Sequence, residues 1–267
     1  MMLIDVQALD IIGLLASFMF LGYSSRRDIA SREVPDRVWF FSYPIGILLF
    51  AARLIGDVSS WTFASLSLLT AITISIALLY LGLWGGADGK AFVCLALMNP
   101  QTPTFAVNLL RVVDPLFPLV VFSNAYIASL ACVLYCAQRN VRARHRLFEN
   151  LEDESYLPKI TAFLTGYRVR FVELESKSFL FPLESIRSEG SVLRRHFKLE
   201  MRIDTDREKE LREIKEAFGS ELPSATVWVT PGIPFLVFVT AGLALSVLVG
   251  DIVWHAVATL LGFVTAL

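Results

Sequence analysis

Cysteine is scarce in this chain and badly placed for chemistry. Cys94, Cys132 and Cys136 all lie in apolar runs, and no two form a CxxC pair, which leaves no basis for a zinc site or a disulfide framework. Cys132 and Cys136 are four apart and share a helix face, where they read as small packing residues. Histidine is equally thin: His145, His196 and His255 are scattered without metal-ligand spacing. The net charge is only −1, which argues against a nucleic-acid partner. Positive charge is also missing ahead of Arg26, so the n-region of a removable signal peptide is absent and the apolar run from Ile11 to Tyr23 reads as a permanent span. Internal repeats and low-complexity tracts are lacking too.

What the chain has in abundance is apolar length. It is 55% hydrophobic over 267 residues, with a mean hydropathy of +0.59. Soluble domains average about 45–50% apolar even with glycine counted. The expected fold is therefore an α-helical integral membrane protein with six transmembrane helices, at roughly 6–25, 38–55, 62–84, 88–104, 116–137 and 232–250. The fourth is the shortest, because Asn99-Pro100 and Pro103 interrupt it. Residues 252–267 form a further apolar tail, read as interfacial. Arg26, Arg27, Arg32 and Arg37 follow the first span, Lys90 follows the third, and seventeen basic residues lie in 138–229. Positive charge stays inside, so these loops are expected to be cytoplasmic and both termini outside. Trp39, Trp61, Trp84, Trp228 and Trp254 all fall at span ends, as an interfacial belt would place them. Asp10 and Asp251 fall near the outer face, where solvation suffices.

Three domains follow: helices 1–5 over 1–137, a small cytoplasmic α+β domain over 138–229, and helix 6 with the tail over 230–267. The middle segment balances its seventeen basic residues with sixteen acidic ones. Tyr167 to Phe171 alternates in the period of a half-buried strand, as does Phe197 to Ile203, and Ser178 to Phe181 is a third short strand. Thr205-Asp206-Arg207-Glu208 reads as a capping box opening a helix whose apolar stripe is Leu211, Ile214 and Phe218 and whose stop is Gly219. The acidic cluster Glu149, Glu152, Asp153 and Glu154 reads as a solvated face.

Two carboxylates stand out. Asp28 follows the first span and Asp88 opens the fourth, so the topology puts both at the cytoplasmic end of the membrane. Packing of those helices would bring them together, and two close carboxyls cannot both ionise cheaply. One would then hold a proton while the other activates a water, which is the apparatus of peptide hydrolysis. Gly85, Gly86 and Gly89 around Asp88 would permit an irregular backbone and close approach of a substrate strand. Simpler roles exist for each residue alone: Asp28 can neutralise Arg26 and Arg27, and Asp88 can be a favourable anion at a helix start. Lys90 can hold Asp88 or serve as an inside-positive anchor. Asn124 in the fifth span can sit near the pair or lock helix packing.

Gly85-Gly86-Ala87-Asp88-Gly89-Lys90 resembles the glycine–X–hydrophobic–aspartate motif of the type IV prepilin peptidase family of membrane aspartic proteases. Asp28 to Asp36 is similar to that family's first aspartate segment. Trp228 to Pro234 and Phe117 to Asn124 resemble its archaeal branch, the preflagellin (prearchaellin) peptidases. The resemblance implies that Asp28 and Asp88 are catalytic and that no metal or organic cofactor is needed. It implies as partners precursors of archaellins or type IV pilin-like subunits, with a short basic leader and a hydrophobic N-terminal helix. Ala87 stands where many relatives have glycine. The cysteine-rich segment of bifunctional bacterial members is absent, so N-methylation is not expected. Two other readings use the same aspartates: a presenilin-like protease cutting inside the membrane, and a cation-coupled transporter.

Overall fold

The computed structural model describes residues 5–56, 60–110, 114–143, 147–149, 151, 154–189, 192–198, 207–219, 222 and 225–262. The chain divides into two compact units, Met1–Ser129 with Pro234–Leu267, and Leu130–Ile233.

The first unit is helical: α1 (Val6–Ser31), α2 (Asp36–Gly56), α3 (Trp61–Tyr80), α4 (Gly86–Met98), the first half of α5 (Phe117–Ala143), α9 (Phe235–Leu248) and α10 (Ile252–Leu260). Four of these, α1, α2, α3 and α5, are long and apolar enough to cross a membrane; a fifth arises if α9 and α10, bent by 61° at their junction, count as one span. The expected fourth span, 88–104, is realised as a helix of 13 residues. At 1.5 Å per residue it extends about 20 Å, short of the ~30 Å hydrocarbon core. Its stop is local: Pro100 cannot continue the helix, and Asn99 turns its amide to Gly13 O at 3.2 Å and Ser17 Oγ at 2.6 Å on α1. The expected sixth span, 232–250, likewise ends at Leu248, where Gly250 takes φ 101° and Asp251 caps α10 by accepting from Trp254 N. The tail read as interfacial is helical over Ile252–Leu260 and turns at Leu261 and Gly262.

Polarity in this unit is reversed relative to a water-soluble bundle. Along α3, Ala64, Ser67, Ala71 and Ser75 are buried, while Leu66, Leu69, Ile72 and Ile76 face outward. Small residues recurring at helical spacing let backbones approach, and large apolar ones suit a lipid surround. Gly13 shows how close the approach is: a Cβ there would fall 2.5 Å from the carbonyl oxygen of Met98 on α4. Two expectations about polar residues are corrected. Asp10 is buried, not solvated; it pairs with buried Arg53 at 2.5 Å and accepts from Thr104 N and Oγ1. Asp251 is buried as well, in its capping role. The aromatic belt also shrinks. Trp61 and Trp254 are exposed as lipid-facing side chains should be, but Trp39, Trp84 and Trp228 are buried in protein.

The second unit is α+β. After the end of α5 come α6 (Tyr156–Thr165), β1 (Tyr167–Arg170), α7 (Phe171–Ser176), β2 (Leu180–Pro182), β3 (Glu184–Glu189), β4 (Val192–Phe197), α8 (Arg207–Phe218) and β5 (Thr226–Pro231). The strands form an antiparallel sheet in the order β1-β5-β2 and a separate β3-β4 hairpin. Tyr167, Val169, Leu180, Val227 and Val229 bury one face of the sheet against Leu174 and Ile214, with Leu211 and Phe218 packed alongside. The strands read at 167–171 and 178–181 are thus present, shifted by a residue or two at their ends. The strand read from Phe197 onward instead ends there as β4, and residues 199–206, with Thr205 and Asp206 of the capping box, lie outside the described residues. Gly219 does follow α8, at φ 49°. β5 went unread because Trp228 was assigned to a membrane interface; its indole instead stacks on Phe148 at 5.4 Å and donates to Leu147 O.

Glu184 is fully buried. It takes two hydrogen bonds from Arg195, at 2.9 and 2.6 Å, and one from Trp228 N at 2.8 Å. Removing one member of such a pair leaves an uncompensated charge, which costs about 3–5 kcal/mol. Arg195→Met should therefore lower the thermal midpoint of the detergent-solubilised protein strongly, and adding Glu184→Gln should restore part of the loss; circular dichroism melts of the single and double variants check both.

Candidate active site

Asp28 lies in the last turn of α1, half-buried. That helix ends at Arg32, which adopts the left-handed conformation at φ 58° and donates its N–H to Asp28 O. The Asp28 carboxylate reaches a second helix: Oδ2 accepts from Leu236 N at 3.2 Å. Leu236 is the second residue of α9, and its cap, Pro234, has no side-chain acceptor for the unsatisfied N–H groups of the first turn. Asp28 supplies one from outside the helix. One turn earlier, Ser25 donates to Leu236 O at 2.9 Å and meets Thr240 Oγ1 at 2.8 Å. The end of α1 is thereby fastened to the beginning of α9.

Asp88 is the third residue of α4, also half-buried, and its Oδ2 accepts from Gly85 N at 3.1 Å. An acidic residue here answers both the orphan N–H and the positive end of the helix dipole. Asp28 is near enough for its charge to act on Asp88. Each of the two carboxylates is held by a backbone N–H at a helix start.

The flanking residues have plainer roles than the sequence suggested. Gly85 is extended at φ −75°, Gly86 opens the helix with free space where a Cβ would go, and Ala87 packs against the core. Gly89 allows α3 to approach: a Cβ would lie 3.0 Å from Leu79 Cδ1, and Ser75 donates to Gly89 O. None of the three glycines has positive φ; the left-handed residue in this turn is Gly82 at 68°, which the motif reading passed over. Lys90 turns away from Asp88 and pairs with Asp36 at 2.5 Å on an exposed surface. Asn124 does not join the aspartates. It donates to Ser246 Oγ and Gly250 O at 2.9 and 2.8 Å and accepts from Ile252 N, pinning the α9–α10 break to α5.

Sequence reasoning also missed the aromatic group that joins the two halves of the site. Trp84, just before Gly85, donates Nε1–H to the Tyr126 hydroxyl at 2.6 Å. Phe92 and Phe122 lie 4.1 Å apart, Trp84 and Phe122 5.1 Å, and Tyr126 sits 5.0 Å from Phe235, the neighbour of Leu236. Periodicity marks these rings as apolar; their partners come from distant parts of the chain and leave no trace in local spacing. The signal that could have helped was Ser25, three residues before Asp28 and so on its helix face. Among the described residues no group of three His, Cys, Asp or Glu side chains is placed to hold a metal ion.

Asn124→Leu forfeits three hydrogen bonds in a buried setting and should cost about 1–3 kcal/mol, whereas Lys90→Ala removes only an exposed ion pair and should change stability by less than about 1 kcal/mol. Parallel thermal melts test this ranking, and a larger loss for Lys90→Ala would contradict both roles.

The family model described as the type IV leader peptidase family matches residues 15–136, the region holding both aspartates, and one described as archaeal peptidase A24 C-terminus type II matches residues 158–252. The preflagellin peptidase of Methanocaldococcus jannaschii is 24% identical over 237 residues, covering 84% of this chain and 88% of that protein. The preflagellin peptidase of Methanococcus voltae is 23% identical over 254 residues, covering 91% and 94%. The prepilin peptidase EppA of Methanothermobacter thermautotrophicus is 29% identical over 143 residues, half of this chain and 36% of that protein. With family models matching both its aspartate-bearing helices and its C-terminal part, this chain belongs to the type IV leader peptidase family.

Proposed function

We propose that this protein is a membrane aspartic endopeptidase that removes the short basic leader from prearchaellin or type IV prepilin-like precursors, with Asp28 and Asp88 as its catalytic pair. The observation that carries the reading is that each of these two carboxyls is seated on a helix-start N–H, with Asp28 near enough for its charge to reach Asp88. In the working state one carboxyl is protonated and the other anionic. The anion takes a proton from a water, whose oxygen attacks the scissile carbonyl carbon. The protonated partner donates its hydrogen bond, then its proton, to the carbonyl oxygen. The tetrahedral species collapses as the second carboxyl takes back a hydroxyl proton, the C–N bond breaks and the leaving amine takes a proton from the first carboxyl. No cofactor enters these steps.

The precursor's hydrophobic helix would lie in the bilayer, presenting its leader junction at the membrane surface. On the reading of six spans, with 232–250 the last and 252–267 interfacial, the positive-inside distribution supports both termini outside and the site at the cytoplasmic face. The division into helices 1–5 (1–137), a cytoplasmic domain (138–229) and a last span with its tail (230–267) goes with that topology.

Co-expression with a precursor whose leader ends in Lys-Gly or Arg-Gly should give a size shift on a gel. Asp28→Asn and Asp88→Asn should each reduce it by at least about 100-fold, the scale of a lost general acid or base, while the protein stays in the membrane fraction. Substantial processing by either variant would sink the two-aspartate mechanism.

A further inference from the structure

The second unit carries a helix whose polarity is reversed for water. In α6 the inward face holds Pro158 and Ala162, both buried. Its outward face holds Tyr156, Leu157, Ile160 and Leu164, exposed by 85, 68, 55 and 38%. At about 100° per residue these four fall within one arc of roughly 100°, a continuous apolar stripe. Loose packing is not the cause, because the helix is fastened. The buried Asn140, near the end of α5, donates to Phe163 O at 2.8 Å and Gly166 O at 2.7 Å. Thr230 donates to Thr165 O, and Gly166 lies so close to β5 that a Cβ would fall 2.5 Å from Val229 O. The sequence builds a rigid mount and then points large apolar side chains away from it.

We propose that the outer face of α6 lies in the membrane interface, with Tyr156, Leu157, Ile160 and Leu164 among lipid headgroups and the upper acyl chains. A lipid surface fits this stripe better than a protein partner does, for reasons of continuity and charge. Asn140 ties α6 to α5, a helix long and apolar enough to cross a membrane, whose Leu130, Leu134 and Tyr135 are likewise exposed in the same unit. The chain leaves the unit through Ile233 into apolar α9. Lys159 flanks the stripe and exposed Arg142 lies two residues past Asn140, cations suited to anionic headgroups, while the nearby Glu154 is turned to His196 and Phe197 N. The inference rests on the membrane reading of the chain but not on the protease mechanism. It gives the second unit a fixed level at the bilayer surface.

Nitroxide labels test it in the full chain, its three native cysteines replaced by alanine, reconstituted in phosphatidylcholine vesicles containing a minority of phosphatidylglycerol. Labels go on Ile160→Cys and Leu164→Cys, with Leu69→Cys on α3 as the lipid reference and Glu213→Cys on α8 as the aqueous one. Collision with oxygen against collision with a water-soluble nickel chelate should give Ile160 and Leu164 ratios severalfold above Glu213 and near Leu69. Ratios at the Glu213 level, with Leu69 lipid-like, would overturn the α6 proposal alone. A Leu69 label as accessible to nickel as Glu213 would remove the membrane reading and this proposal with it. Dipolar broadening between Ile160 labels that vanishes on dilution with unlabelled protein would show a second copy on the stripe, which also overturns it.

Discussion

A carboxylate in a largely apolar helix bundle needs donors, and here backbone supplies them. Asp28 takes the Leu236 N–H at the start of α9, and Asp88 takes the Gly85 N–H at the start of α4. Helix starts offer unsatisfied N–H groups and the positive end of a dipole. Lys90, the cation nearest in sequence to Asp88, is committed to Asp36 instead. Each aspartate thus has one backbone donor from a helix start to offset the cost of placing a carboxylate among apolar side chains. A carboxyl held in that balance can take either protonation state, as an acid–base pair requires.

The rest of the first unit can be understood as holding α9 where Asp28 can reach it. Ser25 and Thr240 clamp its near end to α1, and Asn124 secures its far end to α5. Between them, Gly242 brings α9 against α5 so tightly that a Cβ would sit 2.4 Å from Val121 O. Small residues at the points of contact make such approaches possible. The Trp84–Phe92–Phe122 group, with Tyr126 and Phe235, then fills the space between the two helix starts.

Much of this was legible in the sequence, and what was not has physical causes. Asp28 and Asp88 could be singled out because ionisable residues at span ends are few and costly. The long helices followed from apolar run length, and β1 followed from period-two alternation. Run length failed for α4, since the apolar run stops at Met98 and the expected span was carried on to 104 across Asn99, Pro100 and Pro103, which end the helix. It failed again for Trp228, because an indole beside an apolar run has the same local pattern whether it meets lipid or a sheet. Asp10 read as solvated because its partner Arg53 is forty-three positions away, and nothing local predicts such a pairing. Leu236 N–H is a backbone group and has no sequence signature at all.

The central claim is that Asp28 and Asp88 form one coupled acid–base unit. Infrared difference spectroscopy of the reconstituted protein addresses this directly, through the carboxylic acid C=O stretch that shifts on exchange into deuterium oxide. A coupled pair predicts one such band at neutral pH, lost or moved in both Asp28→Asn and Asp88→Asn. A band untouched by either substitution, or one assigned to a single aspartate and indifferent to the other, would contradict it.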